Sequence, residues 1–167
     1  MDNEENMAEL QGNPAYTGMT KHIPGNAGYA IWLPSDWHET KMKKGHNGAI
    51  FSPYKDDINT CFLAEKHMLK YSVKPDDMPV LREGFLKGIN ALPGVEIEKT
   101  DEFLSEAINF FEARFTYLEG EARRKRWVKN IYWGNGQLLL IAQGKNEEDF
   151  KYWESMFFNT MYTVELL

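Results

Sequence analysis

Residues 108–142 constrain the fold of this chain most strongly, because two turns divide them into three segments of β character. Apolar and polar residues alternate over 108–118, and a turn containing glycine follows. The chain returns over 127–133, turns again at Gly134 and runs back over 138–142. This pattern predicts a meander of three antiparallel strands, which needs a covering layer on at least one face.

Two segments predict amphipathic helices that can supply the cover. Over residues 79–90 the apolar side chains recur every three or four positions, and Asp76 or Asp77 can cap the start of the helix. Near the end of the chain, Asn146 can cap a second helix whose first turn is acidic. Its predicted apolar stripe consists of Phe150, Trp153, Phe157 and Met161.

The remaining elements before the meander are short strands. Tyr29 to Leu33 alternate and stop at Pro34, residues 38–51 form a hairpin, and 58–69 predict a strand covered on both faces. Another strand starts at Val95, and an acidic turn is expected around Asp101 and Glu102. The predicted class is α+β, with a twisted, mainly antiparallel sheet of about six or seven strands flanked by two amphipathic helices.

Length and composition limit the domain organisation. The 167 residues suit one domain, and 43% hydrophobic with 14% aromatic residues exclude intrinsic disorder for the body. We expect residues 1–27 to be a mobile acidic N-terminal tail and a leading loop, and 28–167 to be a single α+β domain. Without the four acids of residues 1–10, 19 basic and 21 acidic residues remain, so net charge indicates no general affinity for nucleic acid.

Targeting features are also missing from the sequence. It contains no apolar run of about 20 residues and no signal peptide, so we expect a soluble protein without a membrane span. It would be cytoplasmic if the chain is complete, and exported if an N-terminal signal was removed. The single cysteine, Cys61, excludes an internal disulfide and reads as a core thiol.

The opening strand, Tyr29-Ala30-Ile31-Trp32-Leu33-Pro34-Ser35-Asp36-Trp37, resembles the "strand, Pro, small residue, Trp" start of PsbP-like domains. The order of the later elements is also similar, over 49–51, 58–69, 79–90, 95–142 and 147–159, so the resemblance covers about residues 28–167. The superfamily includes the photosystem II subunit PsbP, a Mog-type Ran-binding factor and bacterial domains of unknown function. The resemblance implies a sheet sandwiched by helices and a binding or assembly role without enzymatic activity. It transfers no site residues, because no shared site motif is present.

The candidate partner-binding site lies around Arg123 to Lys129, on one strand of the meander. We call this segment the basic hairpin. Four consecutive bases cannot be buried on either face of a strand, so this end should project into solvent and contact a protein partner. Nearby tryptophans would add a shallow aromatic groove. The predicted partner-binding residues are Arg123, Arg124, Lys125, Arg126, Trp127, Lys129 and Trp133. Reversal of the four consecutive bases to Glu should abolish partner capture and leave thermal stability nearly unchanged.

Three other interpretations stay open. The bases can simply pair across the strands with Glu112, Glu119 and Glu121. Alternatively, the protein binds a small ligand, or is an enzyme, with a pocket between sheet and helix that uses histidines and carboxylates. Nucleic acid is the less favoured partner of the basic hairpin, and its binding would weaken steeply with salt. The oligomeric state is not predicted.

No catalytic residue, metal site or cofactor is predicted. His22, His38, His46 and His67 lack the spacing of a preformed site, although His38 and His46 flank one hairpin near Asp36, Asp56 and Asp57. The sequence has no Gly-x-Ser-x-Gly elbow, no Gly-x-Gly-x-x-Gly loop and no Walker loop. Nucleotide-binding and hydrolase functions therefore lack support.

Overall fold

Antiparallel pairing organises the chain into two sheets in the computed structural model, which describes residues 14, 16–25 and 28–167. Within those residues there are ten strands, two α-helices and a 3-10 turn, Pro75–Asp77. The strands are β1 (Met19–His22), β2 (Tyr29–Pro34), β3 (His38–Lys41), β4 (Gly48–Ser52), β5 (Cys61–Met68), β6 (Glu96–Phe103), β7 (Ile108–Glu119), β8 (Ala122–Trp133), β9 (Gly136–Gly144) and β10 (Glu165–Leu166). The helices are α1 (Met78–Asn90) and α2 (Glu147–Tyr162).

The larger sheet has seven strands in the order β3-β4-β5-β9-β8-β7-β6. Every neighbouring pair is antiparallel, and the predicted meander is confirmed as β7, β8 and β9. β5 lies inside the sheet, between β4 and β9. The α+β class with a mainly antiparallel sheet is therefore confirmed.

The smaller sheet has three strands in the order β1-β2-β10, and sequence analysis did not predict β1. Met19 pairs with Pro34 and His22 with Ile31, although Met-Thr-Lys-His has little β signal of its own. The strand forms because β2 offers it a partner. It falls within the residues expected to be a tail and leading loop, whereas the acidic part of that tail lies outside the described residues.

β6 is longer than predicted. The acidic turn expected at Asp101 and Glu102 was wrong, because both residues pair within the sheet, with Glu112 and Phe111 respectively. The carboxylate of Glu102 accepts two 2.7 Å contacts from Nη1 of Arg82 on α1. β6 forms one edge of the seven-stranded sheet, and all eight of its residues are exposed.

α2 covers one face of the seven-stranded sheet, which we call the α2 face. The predicted stripe of Phe150, Trp153, Phe157 and Met161 is confirmed as fully or almost fully buried, in one cluster with β2 and with the centre of the sheet. Asn146 caps the helix as predicted, because its side chain accepts from the backbone N–H of Asp149 at 2.8 Å.

α1 lies on the opposite face, which we call the α1 face. Met78 and Ile89 are its buried residues, and the ring of Phe85 lies 4.6 Å from that of Phe111. The two helices thus sandwich the sheet, as the resemblance implied. No helix in the described part of the chain has the length and apolar character needed to cross a lipid bilayer.

Candidate partner-binding surface

Arg123 and Lys125 are the bases of the basic hairpin that lie on the α2 face, and both contact groups within the chain. Arg123 donates to the carbonyl oxygen of Gly94 at 3.0 Å and to the hydroxyl of Thr116 at 3.1 Å. The ammonium of Lys125 lies 3.0 Å from a carboxylate oxygen of Glu98. These side chains bridge β8 to neighbouring segments instead of extending away from the sheet.

Arg124 and Arg126 lie on the α1 face, and they also contact groups within the chain. Arg124 donates to the carbonyl oxygen of Lys145 at 2.9 Å and to Oδ1 of Asn59 at 3.1 Å. Arg126 donates from Nε to Oε1 of Gln143 at 2.6 Å, and its guanidinium lies 4.7 Å from the Tyr117 ring centroid. The side chains of Arg124 and Lys125 are only 14% and 21% exposed. The prediction of a finger projecting into solvent is therefore wrong, because long basic side chains can lie along a sheet and still reach acceptors.

Trp127 is fully buried, so it is not a surface aromatic group. Its indole N–H donates to Oε2 of Glu112 at 3.0 Å. The guanidinium of Arg114 lies 4.0 Å above the ring and 4.8 Å from the ring of Phe158. The buried ring of Trp127 therefore packs against both a cation and a second aromatic side chain.

Lys129 is an almost fully buried cation, with 6% of its surface exposed. Its ammonium lies 4.2 Å from the ring centroid of Phe110 and 5.4 Å from that of Tyr162. Burial lowers the pKa of Lys129, while Glu112 and Asp101 oppose that shift. Within the described part of the chain, no carboxylate or hydrogen-bond acceptor contacts this ammonium.

Aromatic side chains surround these cations at the surface. Phe103 and Phe110 pair across β6 and β7 and stack with centroids 5.7 Å apart and planes at 19°. Phe158 and Tyr162 lie side by side on α2 with centroids 5.2 Å apart. Tyr162 is 61% and Phe103 50% exposed. We call this set the aromatic surface, consisting of Phe103, Phe110, Phe158 and Tyr162 with Arg114 and Lys129 between them.

The surface exists because α2 covers only part of its face of the sheet. Phe158 and Tyr162 are four residues apart, beside the buried stripe of α2, so they reach the flank of the helix. β6 forms the edge of the sheet, and there Phe103 is left exposed. Sequence analysis missed all four aromatic residues. The four-residue spacing of Phe158 and Tyr162, outside the core stripe of α2, was a sequence signal for these two residues.

The seven predicted partner-binding residues do not form one surface. Trp127, Lys129 and Trp133 share the α2 face of β8, and Trp133 is half-buried with the ammonium of Lys66 5.0 Å from its ring. Trp133 pairs with the exposed Ile108, which extends the aromatic surface along β7. The four consecutive bases lie at the other end of β8 and divide between its two faces.

One cleft, between α1 and the sheet, lies where a ligand pocket between sheet and helix was expected. It has a volume of about 220 Å³, and Arg82 and Glu102 form an ion pair on its wall. Phe85 and Phe111 also line it, and no histidine does. The volume is below the roughly 300–1,000 Å³ of common ligand sites, and the charged pair is already satisfied internally.

Histidines do not converge on this cleft. His46 and His67 both contact Oε1 of Glu65, at 2.7 and 3.3 Å, and the ring of His22 packs edge-on against Phe51. Across the described residues, no group of histidine, cysteine and acidic side chains is arranged to hold a metal ion. Cys61 is buried, as predicted, and burial raises the pKa of its thiol to about 11.

Comparisons with known proteins identify the fold. No protein-family model matches the chain, and no curated protein sequence matches it. The solution structure of cyanobacterial PsbP (CyanoP) from Synechocystis sp. PCC 6803 superposes with a TM-score of 0.65 at 10% identity, covering 94% of this chain and 99% of that chain.

Two further structures are similar. LpqN, involved in cell envelope biogenesis of Mycobacterium tuberculosis, has a TM-score of 0.60 at 12% identity and covers 89% of this chain and 90% of its own. The Saccharomyces cerevisiae Ran-binding protein Mog1p has a TM-score of 0.55 at 6% identity and covers 89% and 95%. These matches span nearly the whole described chain, so it has the PsbP-like fold that its opening strand and order of elements resembled.

Proposed function

We propose that this chain is a non-enzymatic protein-binding or assembly module that contacts its partner through the aromatic surface. The similar folds support a binding role, since one of them is named as a Ran-binding protein. They do not indicate which residues bind, because identities of 6–12% carry no site across. The aromatic surface supplies the residue-level support.

The observation that carries the proposal is the exposure of stacked aromatic rings around two cations. Large rings exposed together are typical of interfaces, where they supply rigid contact area at low entropic cost. Arginine and aromatic residues are also the residues enriched among interface hot spots. Here the guanidinium of Arg114 lies beside the rings of both Trp127 and Phe158, which also contact each other, so it is already oriented before a partner arrives.

The exposed area is large enough to matter energetically. An aromatic side chain offers about 200 Å², so the exposed parts of Phe103 and Tyr162 amount to roughly 100 and 120 Å². At about 25 cal/mol per Å², covering them would contribute about 2.5 and 3 kcal/mol before the costs of association. Two such residues can serve as anchors at the centre of a larger interface.

The residues predicted from sequence have different places in this proposal. Lys129 lies within the aromatic surface, Trp127 supports it from below, and Trp133 extends it. Contact of Arg123, Arg124, Lys125 and Arg126 with the partner stays a prediction, and it would use only the parts of these side chains that internal contacts leave exposed.

A capture experiment tests the proposal. Immobilised wild-type protein, the double variant Phe103→Ser/Tyr162→Ser and the control Tyr71→Ser/Val80→Ser would be incubated with lysate of the source cells. The control residues are 53% and 73% exposed but lie outside the aromatic surface. We expect quantitative mass spectrometry to find a protein retained by wild type and control and lost by Phe103→Ser/Tyr162→Ser. Equal retention by all three folded proteins would contradict the proposal.

A further inference from the structure

We propose that the ammonium of Lys129 is the point of the aromatic surface that receives a carboxylate, so that the partner presents an Asp or Glu side chain flanked by apolar residues. This inference rests on the proposed function and adds the chemistry of the partner. It follows from how Lys129 is held, from the charges around it and from what a partner would do to its hydration.

Lys129 has three N–H donors and no acceptor. The rings of Phe110 and Tyr162 attract its positive charge but cannot replace the hydrogen bonds of water. Only 6% of the residue is exposed, so its stem is buried, while the ammonium keeps limited contact with solvent. Removing that remaining solvent contact would be costly unless a hydrogen-bonding anion replaced it.

The carboxylates around Lys129 contact other groups. Glu112 accepts from the indole of Trp127, and Asp101 accepts from the backbone N–H of Glu102 at 2.9 Å. Glu154 lies 3.9 Å from Arg114. Glu112 and Asp101 favour the charge on Lys129 through space, yet none of these three acids contacts its ammonium.

The charges on this part of the α2 face balance. Lys99 lies opposite Arg114 in the register of β6 and β7, so three cations face the three carboxylates. The cations are Lys99, Arg114 and Lys129, and the carboxylates are Asp101, Glu112 and Glu154. Lys99 and Arg114 therefore partly offset the repulsion that Glu112 and Asp101 exert on an incoming carboxylate, and Lys129 offers it donors without a competing acceptor.

A partner that covers Phe103 and Tyr162 would also close the remaining opening above Lys129. The ammonium would then lose its remaining contact with solvent, and its N–H groups would be unpaired unless the partner supplied an acceptor. A carboxylate is the acceptor that also neutralises the charge. The site would therefore recognise the partner's acid together with the apolar side chains beside it.

Peptide selection tests the inference. Twelve-residue peptides would be selected from a random displayed library on wild-type protein, with the Phe103→Ser/Tyr162→Ser variant as competitor. We expect the selected peptides to share an Asp or Glu next to apolar residues. Exchange of that acid for its amide should weaken binding to wild type by about tenfold or more, and should have no effect on binding to Lys129→Met.

The outcomes separate the two proposals. Peptides that need Phe103 and Tyr162 but contain no required acid, and that bind wild type and Lys129→Met equally, would overturn the carboxylate site and leave the aromatic surface standing. Failure to obtain any peptide that distinguishes wild type from Phe103→Ser/Tyr162→Ser would overturn both. Circular dichroism of Lys129→Met would establish that it is folded, and the acid-to-amide exchange on wild type tests the same contact without altering the protein.

Discussion

Replacement of Lys129 by methionine tests directly whether burial of this lysine lowers the free energy of unfolding. Methionine matches the length and flexibility of the lysine stem but has no charge. In the wild-type protein the residue is almost fully buried, and burial lowers the pKa of Lys129 below the 10.5 of free lysine. We therefore expect Lys129→Met to be at least as stable as wild type at pH 7.

The pH dependence gives the sign of the effect. Above the lowered pKa of the folded state and below 10.5, the unfolded chain binds a proton on Lys129 that the folded chain does not. Wild-type stability should therefore rise with pH in this window, at no more than about 1.4 kcal/mol per pH unit for one proton. Lys129→Met lacks this contribution, so any advantage it has at pH 7 should shrink as the pH approaches 10.5.

Urea denaturation of both proteins from pH 7 to pH 10 measures this difference. Buried tyrosines also titrate differently in the folded and unfolded chains, for example Tyr29 and Tyr132, whose pKa burial raises to about 12. Their effect is common to both proteins and cancels in the comparison. A difference that does not change with pH would refute the reasoning. A decrease of more than about 2 kcal/mol in the free energy of unfolding of Lys129→Met at pH 7 would also refute it. Such a decrease would mean that the attraction of the ammonium to the aromatic rings exceeds its desolvation penalty.

Three further predictions concern the fold. Deletion of residues 1–27 removes β1 from β2 and should lower the melting temperature by about 5–10 °C, so an unchanged melting temperature would argue against the role of β1. Tyr54→Phe removes the hydroxyl that donates to the buried carboxylate of Asp149 at 2.8 Å, and urea denaturation should show a loss of about 1–3 kcal/mol. Arg124→Glu should lower the free energy of unfolding by about 2 kcal/mol, because its contacts with Lys145 and Asn59 are lost, and unchanged stability would instead support an unconstrained side chain.

Local signals in the sequence were sufficient for most of the fold. Alternation over β7, β8 and β9 depends on neighbouring residues and on turn glycines such as Gly134, whose φ of 52° suits glycine. The stripe of α2 and its Asn146 cap are likewise local. β1 could not be predicted in this way, because its stability comes from pairing with β2 and from the contact of His22 with Phe51.

The binding surface depended on long-range contacts. Phe103 and Phe110 meet only because β6 continues through two acidic residues and then pairs in register with β7. The bases of the basic hairpin looked exposed because four of them are consecutive, yet Arg124 reaches Asn59, 65 residues away. Lys129 and Trp127 share one face of β8, but their burial follows from Phe110, Arg114 and α2, which no local pattern connects to β8.

Site-directed photocrosslinking measures most directly whether a partner protein contacts the aromatic surface. A benzophenone amino acid would replace Tyr162 in one protein and the exposed control residue Tyr71 in another, and both would be irradiated in lysate of the source cells. We expect a discrete protein adduct from position 162 that is absent from position 71. No adduct at position 162, or the same adducts from both positions, would contradict a partner-binding role for this surface.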